Sequence, residues 1–505
     1  MSRAEIVTSP LAPQAVPNEQ GAGHAVLALI AAASAVRVAF AWASGLGIDE
    51  SYMVATGRSL RLGYFDHPPA SWWMQWAGAR LLGTDAPLAV RLPFIAAFAL
   101  TTWLIYRLGA ALAGRRAGVW AALFLTLSPV FGVTTATWVL PDGPLDLALV
   151  GAALCLVHAM EGQGRAAWGW WGATGLCAGL ALFSKYTAVL TIGGALVYLL
   201  TSTAHRRWLA RPHPYLAGVL ALAVFAPVVW WNATHHWASF AFQGDRALGL
   251  RFRPWLFFVV LGGEALFVLP WIWAPMMLVF FGAIRRGPAD PRSWLLVCLG
   301  FPPILAFAAI AVVSHQRVLF HWAAPGYLML FPLLGAAAAA RAEAAWLRRL
   351  TAGTIALILI VLAVIGTQLR LDWLHPVIAA VARHDPDLAG RDWTSLRSQL
   401  AARGLLHPGE VVGVPSWSLG GKIAYALGPD MRVICLCQDA RQFGFDAPAS
   451  RFAGQDVLVL TPGAVPAGMF ASVTPLAAAT VTDHGRALLV VHVALGHRLR
   501  PIAQD

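Results

Sequence analysis

Residues 24–46 read HAVLALIAAASAVRVAFAWASGL, an apolar stretch long enough to cross a bilayer core, which takes about 20 residues as a helix. Similar apolar runs of about 17–25 residues recur along the chain up to residue 367. The predicted spans are 24–46, 88–112, 117–138, 145–160, 167–183, 187–202, 214–231, 254–282, 293–313, 320–340 and 350–367. The sequence therefore predicts a mainly α-helical, polytopic transmembrane bundle of about eleven spans.

The overall composition agrees with a membrane protein. Of 505 residues, 58% are hydrophobic and 12% are charged, whereas a soluble domain is about a quarter charged. The formal net charge is +12, but the cationic residues are mostly arginines between the apolar runs. This pattern reports topology, so we predict membrane lipid as a partner and no nucleic acid.

The arginines also predict the orientation of the spans. Residues 1–23 read as a polar, disordered cytoplasmic tail without the layout of a signal peptide. With that tail inside, the arginine clusters fall in inside loops: Arg115–Arg116, Arg165, Arg206–Arg207–Arg211, Arg285–Arg286–Arg292 and Arg341–Arg348–Arg349. The outside segments are then 47–87, 139–144, 184–186, 232–253, 314–319 and everything after 367.

Two parts of the chain are expected outside the bilayer. The first outer loop, 47–87, belongs to a membrane domain at 24–367 and reads as two interfacial amphipathic helices. Residues 368–505 read as a small extracytoplasmic α/β domain, with a helix at Trp393–Arg403 and strands at Glu410–Val414, Met431–Leu436, Asp456–Leu460 and Ala487–Val493. Cys435 and Cys437 predict neither a metal site nor, at this close spacing, a disulfide.

Acidic residues stand out in a chain this poor in charge. Asp49 and Glu50 follow the first span, where they could supply a general base in a water-filled cavity or merely cap a helix. Asp66 and His67 precede two prolines, and they could bind phosphate or a divalent metal, or form a capped turn. Asp142 could face the same cavity as Asp49, or it could merely form a tight turn, which its Pro-Asp-Gly sequence favours.

Basic and polar residues mark two further outer segments. Lys185 is the lone lysine of the membrane portion, and a lipid phosphate would explain it as well as snorkelling to the headgroups would. Tyr186 follows it directly. His236, Gln243 and Arg246 lie in the outer segment 232–253, where His and Arg suit a phosphate or an acidic sugar. Asp66, His67 and His236 offer ligands for a divalent metal ion.

Other chemistries lack support. The sequence contains no G-x-x-x-x-G-K-[ST], no H-E-x-x-H and no credible G-x-G-x-x-G. ATP-binding, zincin and dinucleotide-binding sites are therefore not predicted.

Five motifs in order resemble one known family. They are Asp49-Glu50, Tyr64-Phe65-Asp66-His67-Pro68-Pro69, Leu140-Pro141-Asp142-Gly143-Pro144, Ser184-Lys185-Tyr186-Thr187-Ala188 and His236-Trp237-Ala238-Ser239-Phe240-Ala241-Phe242-Gln243. Together they are similar to the bacterial glycosyltransferases of the protein-O-mannosyltransferase and aminoarabinose-transferase superfamily, which have the GT-C fold. The resemblance covers roughly residues 24–340.

The resemblance implies an inverting transfer from a polyprenyl-phosphate sugar at the periplasmic face of a bacterial inner membrane. It places the catalytic acid at Asp49 with Glu50 as its partner, and it makes Lys185 a neutraliser of the donor phosphate. The family's aromatic-acid-base-Pro-Pro element maps onto Phe65 to Pro69, but His67 stands where aminoarabinose transferases have lysine. The acceptor would be lipid A, lipopolysaccharide or another envelope glycan, or a protein.

Two other classes of function compete with the transferase. A flippase or transporter of lipid-linked sugars would place ionisable residues near the bilayer midplane, whereas the candidates here cluster at one face. A scaffolding protein would need neither a lone outer lysine nor acids beside breaker-rich turns.

Overall fold

The computed structural model describes residues 20–247, 252–314, 317–381, 386–407 and 409–502, and most of its first 371 residues are helical. The helices are α1 (Gln20–Ala43), α2 (Ile48–Thr56), α3 (Ala70–Leu82), α4 (Pro87–Ala113), α5 (Arg115–Leu127), α6 (Asp142–Glu161), α7 (Gly164–Ser184), α8 (Ala188–Thr201), α9 (His213–Thr234), α10 (Ala238–Ala247), α11 (Trp255–Val268), α12 (Pro270–Arg286), α13 (Pro291–Val313), α14 (Ala324–Leu328), α15 (Phe331–Ala339) and α16 (Ala345–Leu371). A π-helical turn, Val130–Thr135, lies between α5 and α6.

Within the described ranges, six helices are long and apolar enough to cross a membrane, namely α1, α4, α6, α9, α13 and α16. A seventh candidate is the pair α11–α12, which bends by 114°. The bend falls at Leu269, because the proline that follows disfavours helical geometry at the residue before it. Every predicted span has a helix at its position, so the mainly α, multi-pass architecture is confirmed, while the count of eleven stays a prediction.

The C-terminal part has its own sheet. Its elements are α17 (His375–Val381), α18 (Ser395–Ala402), β1 (Val411–Val414), α19 (Trp417–Leu427), β2 (Arg432–Cys435), α20 (Gln442–Asp446), β3 (Val457–Thr461), β4 (Phe470–Asp483) and β5 (Arg486–Leu499). The strand order is β2-β1-β3-β5-β4, with β1 parallel to β2 and β3, and with β5 antiparallel to β3 and β4. This confirms the predicted small α/β domain and its four strands.

Three features of this domain differ from expectation. Strand β4 was not predicted because it is rich in alanine and contains Pro475, which an edge strand tolerates. Helix α19 was also missed. Cys435, the last residue of β2, is disulfide-bonded to Cys437, two residues beyond the strand, although disulfides at this spacing are rare and none was expected.

The chain folds as two compact units. One comprises residues 1–37, 67–71 and 93–360, and its core is a large apolar cluster contributed by most of its helices. We call it the membrane unit. The other comprises residues 38–66, 72–92 and 361–505. We call it the loop–sheet unit, because it joins most of the first outer loop to the C-terminal sheet.

Candidate functional site

The predicted acidic pair begins helix α2 in the loop–sheet unit. Acidic side chains are favoured in the first turn of a helix, where they face the positive end of the helix dipole. Asp49 is exposed, whereas Glu50 is buried and accepts a hydrogen bond from the backbone N–H of Gly47 at 2.8 Å. Adjacent carboxylates therefore occupy opposite environments, and Asp49 is the accessible one.

Glu50 forms a buried, two-pronged ion pair with Arg91 of α4. Arg91 Nε donates to Oε1 at 2.8 Å, and Nη2 donates to Oε2 at 2.5 Å. The same guanidinium donates to carbonyl oxygens of the turn that precedes α2, including those of Ser44 and Gly45. The Glu50 carboxylate is thus committed to holding this turn together.

Asp66 lies in a buried polar cluster of the same unit. Its carboxylate accepts a hydrogen bond from the Tyr52 hydroxyl and pairs with the Arg441 guanidinium at 3.1 Å. Burial raises the pKa of Asp66, and the nearby Asp49 carboxylate raises it further, whereas Arg441 and the Tyr52 hydrogen bond lower it. Asp49 and Asp66 are therefore close enough to interact as two like charges.

The C-terminal residues hold the first outer loop at several more points. Lys422 of α19 donates to the Leu46 carbonyl at 2.6 Å, just before α2. Arg58 donates to the Ala424 carbonyl at 2.9 Å. Gly421 packs so closely on Tyr52 that a Cβ there would lie 2.7 Å from the Tyr52 Cβ. Residues 46–58 are consequently held by the C-terminal residues within the loop–sheet unit.

A second cluster surrounds Lys185 in the membrane unit. Pro141 is the N-cap of α6, so Asp142 lies in the first turn of that helix. Lys185 is the C-cap of α7, and its backbone N–H donates to the Ala181 carbonyl. Lys185 Nζ lies 2.9 Å from Asp142 Oδ1, and both side chains are buried. Burying such a charge pair in an apolar fold is costly, so its presence points to a functional role.

Two imidazoles and an arginine lie near this pair. His67 and His321 are both close enough to Asp142 to interact with it electrostatically, and Arg246 acts in the same way on His321. The Arg246 guanidinium lies 4.7 Å from the centre of the Trp322 ring. Lys185 and Arg246 carry positive charge near Asp142 and its buried neighbour Asp146, and the imidazoles add hydrogen-bonding groups, so the cluster offers groups that bind an anion such as phosphate.

The remaining predicted residues lie at the edge of this cluster or beyond it. The Tyr186 hydroxyl shares a hydrogen bond of 2.7 Å with Ser239 of α10, and it accepts another from Asn232. Gln243 is half-buried in α10, whereas His236 is exposed in the turn before that helix, with a φ of 56°. Among the described residues, the interactions that link Lys185, Asp142, His321 and Arg246 do not include His236, so a shared role for His236 stays a prediction.

The metal site suggested at Asp66, His67 and His236 gains no support. Among the described residues, no group of three or more His, Cys, Asp or Glu side chains could hold a metal ion. We therefore assign no step to a metal.

Sequence reasoning missed the partners of the acids. Tyr52 and Gln442 line the Asp66 cluster, and Arg441 supplies its cation from far along the chain. No local sequence pattern predicts a contact between residues so distant in sequence. Arg91 was also missed, although a lone arginine near the start of an apolar helix could have suggested a buried partner.

Known proteins resemble this chain in sequence and in fold. The family described as dolichyl-phosphate-mannose-protein mannosyltransferase matches residues 66–231. A lipid A galacturonosyltransferase, RgtD, of Rhizobium johnstonii is 27% identical over 287 residues, which cover 56% of this chain and 58% of that relative. The match thus spans less than two thirds of the relative's length.

Solved structures share the fold over most of the chain. ArnT from Cupriavidus metallidurans, bound to undecaprenyl phosphate, has a TM-score of 0.64 at 16% identity and covers 93% of this chain and 97% of its own. An oligosaccharyltransferase of Archaeoglobus fulgidus has a TM-score of 0.51 at 13% identity over 86% of this chain and 69% of its own.

A multi-pass helical bundle with a small C-terminal sheet domain, acids in the first outer loop and a buried lysine is the architecture of a GT-C membrane protein. The chain has the GT-C fold that its five motifs indicated, and its sequence is similar to the mannosyltransferase family and to a lipid A galacturonosyltransferase over part of its length.

Proposed function

We propose that this protein is an inverting glycosyltransferase that moves a sugar from a polyprenyl-phosphate donor to an envelope acceptor, with lipid A the favoured acceptor. The observation that carries the proposal is the cationic cluster around buried Lys185 in the membrane unit. A phosphate attached to a polyprenyl chain needs cations within an apolar fold. The similarity to a lipid A galacturonosyltransferase supports a uronic acid among the candidate sugars.

The proposed chemistry is a single displacement. A hydroxyl of the acceptor attacks the anomeric carbon, its proton passes to Asp49, and the bond from the anomeric carbon to the phosphate oxygen breaks. The polyprenyl phosphate departs with the bonding electrons, and Lys185 and Arg246 stabilise its added charge. Asp49 suits the base because it is exposed, whereas both oxygens of Glu50 already accept hydrogen bonds.

We place this reaction at the periplasmic face of a bacterial inner membrane. The arginine distribution supports this orientation. The disulfide between Cys435 and Cys437 also supports it, because disulfides persist in oxidising compartments such as the periplasm. Residues 368–505 would then form a periplasmic domain.

Purified protein in lipid nanodiscs provides the test. Radiolabelled polyprenyl-phosphate sugars (galacturonosyl, aminoarabinosyl and mannosyl) are offered with lipid A, and the anomeric configuration of the product is read by NMR. The variants are Asp49→Asn and Lys185→Met, with Glu343→Gln as the matched control, because the Glu343 side chain is 87% exposed.

We expect transfer with inversion by the wild type and by the control, and no transfer by folded Asp49→Asn. A folded Asp49→Asn variant as active as the wild type would exclude Asp49 as the base. If the wild type transfers no sugar but moves the lipid-linked sugar across proteoliposomes, the protein is a transporter.

A further inference from the structure

The turn that begins helix α20 in the C-terminal domain has an unusual backbone. Arg441 has a φ of 47°, in the left-handed region that residues other than glycine rarely adopt. Such a conformation is unfavourable and is retained where surrounding contacts hold it, often at functional sites. The contacts that hold Arg441 therefore indicate the function of this turn.

The Arg441 guanidinium is fixed from three sides. It lies 3.1 Å from Asp66, 3.6 Å from Asp439 and 3.5 Å from the centre of the Trp417 ring. Stacking on an indole together with a carboxylate pair suits the planar guanidinium and not the ammonium group of lysine. The positive charge of Arg441 is therefore held in a fixed position next to the Asp66 carboxylate.

The next residue adds two hydrogen bonds to the same part of the loop. The backbone N–H of Gln442 donates to the Tyr52 hydroxyl at 3.0 Å, and this hydroxyl in turn donates to Asp66. The side-chain oxygen of Gln442 accepts from the backbone N–H of Phe65 at 3.0 Å. Arg441 thus binds the Asp66 carboxylate, and Gln442 binds the backbone of the preceding residue, Phe65.

We infer that Arg441 is a positioning residue for the proposed sugar transfer, and that through it the C-terminal domain keeps the Asp66 carboxylate charged and oriented beside Asp49. We call Arg441, Gln442 and Tyr52 the Asp66 clamp. The inference rests on the proposed function. It gives the C-terminal domain a direct part in the reaction, namely control of an acid in the first outer loop.

The charge balance around Asp66 explains why a cation is needed. Tyr52 and Asp49 of α2 face Asp66, as do Arg441 and Asp439 of the C-terminal domain. Burial and the two neighbouring carboxylates raise the pKa of Asp66, so without Arg441 this acid would hold its proton to a higher pH. The charged form of Asp66 would then be populated only in more alkaline solution.

The pH dependence of transfer tests the inference on the whole protein. Four variants are compared with the wild type: Arg441→Gln, Arg441→Lys, Tyr52→Phe and the control Arg451→Gln, which changes an exposed arginine of the same domain. Initial rates are measured from pH 5 to pH 9 with the donor that the wild type uses, and thermal melting reports which variants are folded.

For Arg441→Gln we expect the acidic limb of the profile to move to higher pH by roughly one unit or more, since an adjacent arginine lowers the pKa of a carboxyl by about 1–3 units. Arg441→Lys should keep the limb closer to its wild-type position, because it retains the charge, and still lose rate at the optimum. Tyr52→Phe should move the limb in the same direction by less. The control should not move it.

A folded Arg441→Gln variant that loses activity equally at every pH would overturn the inference and leave the transferase standing, since Arg441 would then be merely structural. Unchanged activity in that variant would overturn it too. If Arg441→Gln does not fold, a wild-type profile in both Arg441→Lys and Tyr52→Phe would do the same. Absence of transfer by the wild type would instead refute the proposed function, and the inference with it.

Discussion

The acidic pair at the start of α2 can be separated by mutation, because its two members sit in different environments. Glu50 and Arg91 have exposed fractions of 3% and 2%. Glu50→Gln keeps the size of the side chain but leaves the Arg91 charge buried without its counter-ion. Breaking a buried ion pair from one side costs about 3–5 kcal/mol.

This cost should be visible as a lower melting temperature. For a unit of about 150–250 residues, each kcal/mol lowers the melting temperature by roughly 2–4 °C, so Glu50→Gln should melt roughly 6–20 °C below the wild type. Asp49→Asn changes an exposed side chain and should alter the free energy of unfolding by about 0.5 kcal/mol or less. Its activity should nevertheless be lost.

A double-mutant cycle isolates the pair itself. Combining Glu50→Gln with Arg91→Met removes both charges, so the combined loss should be smaller than the sum of the two single losses. Melting is followed by intrinsic tryptophan fluorescence in detergent, and activity is measured on the folded fraction. If Glu50→Gln melts like the wild type and is inactive, the pair does not stabilise the turn and Glu50 acts in the chemistry itself.

Three more outcomes follow from the described contacts. Lys185→Met should raise the KM for the donor. Asp142→Asn should raise it less, because the Lys185 ammonium group remains to bind phosphate. Equal increases in KM would argue against a phosphate-binding role for Lys185. Replacing Cys435 and Cys437 by serine should lower the free energy of unfolding by only about 1–2 kcal/mol, because the closed loop is very short, and a much larger fall in a chemical-denaturation series would contradict this. Burial lowers the pKa of Lys422 to about 8. In the unfolded chain the pKa of Lys422 is about 10.4, so between pH 8 and pH 10.4 the unfolded chain binds more protons than the folded protein does. The contribution of Lys422 to the free energy of unfolding therefore rises with pH over this range. The melting temperature of the wild type relative to Lys422→Met should therefore increase from pH 7.5 to pH 9.5, and a constant difference would refute it.

The sequence predicts the helical bundle well because lipid imposes a simple rule. A span must be apolar over its whole length, so each run leaves a signal that needs no knowledge of the tertiary fold. The sheet was harder to predict in full. Strand β4 lacks the β-branched alternation of β1 and β3, and only its pairing with β5 makes it a strand.

The candidate site, like the fold, could be predicted from the sequence only in part. Asp142 and Lys185 were both predicted, because each is a charged residue where charge is costly, and the structure pairs them. The Asp66 clamp could not be predicted, since Tyr52 and Arg441 look ordinary where they stand. Their meaning comes from a contact across most of the chain, which no single sequence displays.

The clamp has a consequence for biogenesis. Asp66 and Tyr52 leave the ribosome early and are inserted with the first spans, whereas Arg441 and Gln442 are made near the end of translation. The first outer loop is therefore without its Arg441 and Gln442 contacts while the rest of the bundle is inserted. A chain truncated before α20 could carry every span and every acid of the first outer loop and still lack the contacts that set Asp66, so completion of the polypeptide itself becomes a condition for activity.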